Sequence, residues 1–172
     1  MNIETKTVEE YLSEVLASVQ PLEAFHIPLF EARGCVSAED VTAPWSLPAF
    51  DSASVDGYAV LAADISGAST QNPTSLRVVE IVKSGSHPSR AVQPGTAIRV
   101  NAGSPLPEEA DAVIPIEHSD GGLNEVLISQ SAVFGQFIRR AAEDVELGEV
   151  VLKQGIKIDA RHLGLLASVG RG

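Results

Sequence analysis

Apolar residues first recur at helical spacing and then, from about residue 58, in short β-like runs. In "TVEEYLSEVLASV" (Thr7 to Val19), Val8, Tyr11, Leu12, Val15, Leu16 and Val19 fall on one stripe of an amphipathic helix. Thr7 followed by Glu10 matches a capping box, and Pro21 lies just past the end. The stripe is read as core or subunit interface. "AFHIPLFEA" reads as extended, and "ARGCVSAEDV" as containing a short helix. "TAPWSLPAF", with its two prolines, reads as irregular extended backbone anchored by Trp45.

The pattern then changes. "SLRVVEIVKSG", "GTAIRVNAG", "DAVIPIEHSD" and "NEVLISQSAV" are β-rich runs broken by Gly, Pro, Asn and Ser, and predict a small barrel or curled sheet. Ser66 to Ser75 reads as a flexible surface loop and Asp120 to Asn124 as a hairpin turn. "VVLKQGIKI" alternates around Gln154-Gly155 as a hairpin. Asp159 is placed to cap a last helix, "ARHLGLLASV", which Gly170 closes. The arrangement is that of a β module inserted between two pieces of a mixed domain.

Composition narrows the functions available. A 44% apolar content over 172 residues supports a buried core in one domain or two small ones. No apolar run approaches the length of a membrane span, and "NIETKT" after Met1 is unlike an export signal, so the cytoplasm is the expected compartment. The single cysteine, Cys35, excludes an internal disulfide and is read as a small packing residue, not a nucleophile. A net charge of −11 with 5% aromatic residues argues against a nucleic-acid partner. It also requires any phosphorylated ligand to meet a cation or a local basic spot. His26, His87, His118 and His162 are scattered without metal-ligand spacing.

Three stretches carry candidate chemistry, each beside a structural reading. In "SASVDGYAV", Asp56-Gly57 reads as a tight turn. Alternatively, Ser52, Ser54 and Asp56 alternate along a strand and form a shelf of oxygens for a cation or polar ligand. "RVNAGSPLPEEADAV" is either an ordinary β connection or a rigid loop presenting backbone N–H groups, Gly103 among them. "IRRAAEDVELGE" is either an ion-pair cluster or a site where Arg140 meets phosphate and Asp144 holds a cation or water.

Taken in order, "APWSLPAFDSASVDGYAV", "IRVNAGSPLPEEADAVIPIE" and "IRRAAEDVELGEVVLKQGIKIDARHLGLLASVG" resemble the N-terminal region of the molybdopterin molybdenumtransferases, the MoeA family that includes the gephyrin E domain. The resemblance runs over essentially the whole chain. It implies a mainly β fold with a few helices and bifurcated or curled sheets. An elongated mixed domain, residues 1–58 plus 137–172, would be interrupted by a small barrel-like β domain, residues 59–136. It also implies an enzyme that inserts molybdenum from molybdate into adenylylated molybdopterin, with magnesium, as a homodimer. Two further family domains would follow Gly172 and make most substrate contacts, so this segment by itself is expected to be inactive and to hold no cofactor tightly.

Residue by residue, Asp56 matches the acid of the family's D-G-Y motif at its active cleft, and Asp144 the acid of G-E-D. The family threonine of T-G-A-P-x-P falls at Ala102, which lacks its hydroxyl. Val55 and Ser104 also depart from the family pattern, while Glu109 and Ala142 stand where glycines are expected. If those two backbones have φ > 0, strain of roughly 1–2 kcal/mol follows. The resemblance thus implies that Asp56 and Asp144 complete a site together with Ser52, Ser54, Gly103 and Arg140. The alternative is a non-catalytic dimerisation or docking module derived from the same family.

Overall fold

Thr7 starts the first helix as its sequence requires. Its hydroxyl accepts from the Glu10 amide at 3.2 Å, and the Glu10 carboxylate accepts from the Thr7 amide at 2.8 Å. The computed structural model describes residues 5–172, with this helix, α1, at Val8–Ala17. Every apolar residue of its stripe is exposed, so α1 adds nothing to the core of its own chain.

The fold is mainly β. Strands β1 (Val41–Thr42), β2 (Ser52–Ala53), β3 (Gly57–Val60), β4 (Thr74–Ile81) and β5 (Thr96–Val100) are followed by β6 (Ala112–Pro115), β7 (Glu125–Ile128), β8 (Ile138–Arg139) and β9 (Val150–Leu152). Helix α2 (Ala160–Ser168) ends the chain. A curled five-stranded sheet has the order β6-β3-β5-β4-β7, antiparallel except where β4 runs beside β5. Two short antiparallel pairs, β1 with β9 and β2 with β8, tie the chain's early and late segments together.

The five-stranded sheet is covered on both faces, which explains why its central strands lack polar alternation. Tyr58, Val60, Ile114, Ala97 and Ile128 pack on one face, and Ala59, Ile98, Val100 and Val113 on the other. The buried Tyr58 hydroxyl donates to the Gly122 carbonyl at 2.8 Å, satisfying the one polar atom of that ring. Smaller clusters pack α2 against β9 and the 27–32 segment, and Val169 against Ala43 and Val145.

Asp159 caps α2 by accepting from the amides of Arg161 and His162 at 2.9 and 3.2 Å. The Arg161 guanidinium is the leading cause that holds the Asp159 carboxyl down at about 2. Trp45 is an anchor, with its indole against Gly170, where an added Cβ would lie 2.2 Å from the ring.

Several local expectations fail for identifiable reasons. "AFHIPLFEA" contains a 3-10 turn at Leu29–Glu31, because Pro28 opens it and the carbonyl of Leu29 accepts from Ala32. "ARGCVSAEDV" has no helix. Gly34 adopts φ 88 and Val36 bridges to Lys157, so the segment turns and pairs. Cys35 is exposed, not packed. The 150–158 run turns at Gly155, but its arms pair with residues 36–42 and not with each other. The surface loop is shorter than expected because Thr74 and Ser75 open β4. The turn at 120–124 is present: Asp120 accepts from the amides of Gly122 and Leu127 at 3.1 and 3.0 Å.

Gly57 is not used for backbone freedom. It lies inside β3, where an added Cβ would stand 1.9 Å from the Ile114 carbonyl oxygen, so the glycine permits β6 to approach. Gly57→Ala is expected to lower stability by about 3 kcal/mol or more, read as a fall in the urea midpoint. An unshifted midpoint would show that β6 yields without cost.

The two replaced glycines do sit at left-handed backbone, Glu109 at φ 65 and Ala142 at φ 61. Strain there is about 1–2 kcal/mol, and a glycine returns part of the gain through the freer unfolded chain. Glu109→Gly and Ala142→Gly should therefore each raise stability by about 0.5–1 kcal/mol in the same measurement. Destabilisation by both would contradict strain at these turns.

Candidate functional site

The segment 51–56 is extended at Ser52–Ala53 and then bends until β3 begins at Gly57. On one side it meets the 101–106 loop: Ala53 donates to Ser104 O at 3.0 Å, Gly103 donates back to Ala53 O at 2.8 Å, and Leu106 donates to Asp51 O at 2.8 Å. On the other side it meets residues 137–141. Ser52 lies opposite Arg139 in the β2–β8 pair, and the Ser54 amide donates to Phe137 O at 2.9 Å. The three stretches singled out in the sequence therefore form one junction.

Asp56 points from the bend to the 101–102 turn. Its Oδ1 accepts from the Ala102 amide at 2.7 Å and from the Asn101 side-chain amide at 3.2 Å. Those bonds, the Ala102 amide first, hold its carboxyl below the usual aspartate range, with Arg99 adding a smaller push in the same direction. Asp56 is thus an exposed carboxylate at neutral pH, able to accept hydrogen bonds or order a water and unable to donate.

Asp144 is also exposed and pairs with the Arg139 guanidinium, while its amide donates to Leu47 O at 2.9 Å. Arg140 does not pair with its near neighbours Glu143 and Asp144 through its guanidinium. That group meets Asp51 and stands 5.8 Å from the centroid of the Phe134 ring. This stretch therefore forms ion pairs, one of them with a partner from 89 residues away. No hydrogen bond or ion pair among the described residues links Asp56 to Asp144.

The oxygen shelf is not formed. Ser52 is buried while Ser54 and Asp56 are exposed, because the bend after Ala53 breaks the strand alternation on which the shelf depends. Nor does the 101–106 loop offer free N–H groups at the expected place. The amides of Ala102, Gly103 and Ser104 go to Asp56, Ala53 O and Asn101 O. Gly103 earns its position through φ 80 at the turn. Ser104, 2% exposed, has a hydroxyl without a partner among the described residues, a burial that costs about 1–3 kcal/mol.

Asp51 is the residue that sequence reading missed. Its Oδ1 accepts from the Ala141 amide at 2.8 Å and its Oδ2 pairs with Arg140. The Ala141 bond is the leading cause that lowers its carboxyl, opposed by partial burial and aided by Arg140. No local spacing could have revealed it, since its partners lie about 90 residues away.

Among the described residues no three His, Cys, Asp or Glu side chains gather as a metal centre. A shallow concavity of about 300 Å³, lined in part by His87, Arg90, Leu106 and Glu108, includes neither Asp56 nor Asp144.

This chain is similar to known proteins. Residues 6–170 match the family described as "MoeA N-terminal region (domain I and II)". Molybdopterin molybdenumtransferase 2 of Mycobacterium tuberculosis is 42% identical over 165 residues, which is 96% of this chain and 41% of that protein. The molybdopterin molybdenumtransferase of Synechococcus elongatus is 34% identical over 166 residues, again 96% of this chain and 41% of the relative. The crystal structure of the molybdopterin biosynthesis moeA protein from Pyrococcus horikoshii OT3 superposes with a TM-score of 0.87 at 36% identity, covering 94% of this chain and 43% of that one. This chain spans well under half the length of these relatives. With the family match over nearly its full length and this structural likeness, the chain belongs to the MoeA family, as its N-terminal region.

Proposed function

We propose that this chain supplies one wall of a composite site for molybdenum insertion, acting with a part of the protein that carries the remaining family domains. In this reading the substrates are adenylylated molybdopterin and molybdate, and the reaction takes place in the cytoplasm. The observation that carries it is the junction itself, which holds Asp56 as an exposed, ionised carboxylate on the Ala102 amide and the Asn101 side chain. Bare carboxylates repel a phosphate anhydride, so Asp56 acts by ordering water or by accepting a hydrogen bond from a neutral part of the substrate. No step is assigned to magnesium on this chain. Asp144, bound to Arg139, contributes separately and does not form an acid pair with Asp56.

The domain division follows the same reading. The five-stranded sheet draws on residues 57–128, which supports an inserted β unit at 59–136 inside a frame formed by 1–58 and 137–172.

In a chain of full family length, Asp56→Asn is expected to reduce release of molybdenum cofactor by about tenfold to a hundredfold. Its urea midpoint should stay close to the parent value. Unchanged turnover would remove Asp56 from the site.

A second reading, assembly through the N-terminus, is favoured by the unpartnered stripe of α1. Val8, Tyr11, Leu12, Val15, Leu16 and Val19 are all exposed, as are Leu22, Phe25 and Phe30 beyond it. A homodimer that covers this stripe is the occupant proposed. Sedimentation at micromolar concentration is expected to give twice the chain mass, and Leu12→Glu combined with Leu16→Glu to give a monomer. A monomeric parent chain would defeat the proposal.

A further inference from the structure

Asp51 bonds to both neighbours of its segment, one through its backbone and one through its side chain. Its carbonyl accepts from Leu106 in the 101–106 loop, and its carboxylate accepts from the Ala141 amide and pairs with Arg140. The next residue opens β2, so the carboxylate stands at the end of a paired strand and not on a free loop.

The turn it holds needs such support. Ala142, immediately after Ala141, takes φ 61, a conformation unfavourable for alanine. The Ala141 amide goes to Asp51, the Ala142 amide to Pro48 O at 2.9 Å, and the Asp144 amide to Leu47 O at 2.9 Å. Within the turn, the Arg140 amide donates to the Glu143 carboxylate at 2.9 Å.

Charge sorting is the second consequence. Two guanidinium groups, Arg139 and Arg140, share this turn with the acids Glu143 and Asp144. Arg139 pairs with Asp144, while Arg140 is drawn to Asp51 and lies near the Phe134 ring. Without Asp51, Arg140 is free to compete with Arg139 for Asp144.

We propose that Asp51 is a positioning residue of the composite site: its carboxylate fixes the direction of Arg140 and anchors at Ala141 the turn that carries Asp144. What the positioned groups do for a substrate rests on the function proposed above, but the positioning itself is testable without turnover.

The test uses nitrogen-15 NMR of this chain with Asp51→Asn and Asp51→Ala. Asparagine keeps an oxygen for the Ala141 amide and loses the charge that holds Arg140. Asp51→Asn is therefore expected to shift or broaden the Arg140 Nε–H signal while Ala141 amide exchange stays within about threefold of the parent. Asp51→Ala is expected to move the Arg140 signal as well and to speed Ala141 exchange by about tenfold or more, as loss of a bond to a charged acceptor requires. Amides of the five-stranded sheet, such as those of Val60 and Ile98, should exchange as in the parent for both variants.

An Arg140 signal unmoved by either variant would overturn the proposal. So would sheet amides that accelerate together with Ala141, because the effect would then be on folding as a whole. Loss of the proposed molybdenum-insertion role would leave this outcome unaffected, and failure here would leave that role standing.

Discussion

The segment 51–56 must satisfy its backbone on two sides at once, and the rest of the structure is arranged around that requirement. Ala53 donates to and accepts from the 101–106 loop, and Ser52 and Ala53 pair with β8. A strand of two residues has few hydrogen bonds of its own. It persists because neighbours on both sides complete the ladder. The same bonds bring together three stretches of sequence that are far apart along the chain. The acids of the site are therefore anchored by backbone geometry before any ligand is considered.

Ionised carboxylates held by amide donors have limited chemistry. Asp51 and Asp56 both have their carboxyl groups lowered, each chiefly by one backbone N–H. Such groups serve as acceptors and as fixed negative charge, and neither is suited to deliver a proton near neutrality. The junction thus favours orientation over acid catalysis, in keeping with the proposed role as one wall of a composite site. The hydroxyl-free Ala102 fits that character, since its amide, not its side chain, engages Asp56.

Much of this was legible in the sequence, and the misses share a cause. The capping box at Thr7, the Asp159 cap, the β-rich middle and the turn at Asp120 follow from sequence, and each is found. The left-handed backbones at Glu109 and Ala142 were readable because glycine was expected at both. What local pattern could not supply was partner choice across the chain. The 150–158 arms alternate like a hairpin yet pair with residues 36–42. Ser52 and Ser54 alternate like one face yet a bend separates them. Gly57 looks like a turn glycine but makes room for a carbonyl from β6. Asp51 had no local signal at all, because its contacts exist only once β2 and β8 have paired.

The pairing of β1 with β9 and of β2 with β8 joins segments that precede and follow the five-stranded sheet in the chain. During synthesis the inner sheet has all its strands once residue 128 has emerged, whereas the outer pairs wait for residues 138–152. The junction that carries the acids can therefore be completed only after β8 and β9 have been made. Until residues 138–152 have emerged, β1 and β2 lack the partners β9 and β8 that close the junction.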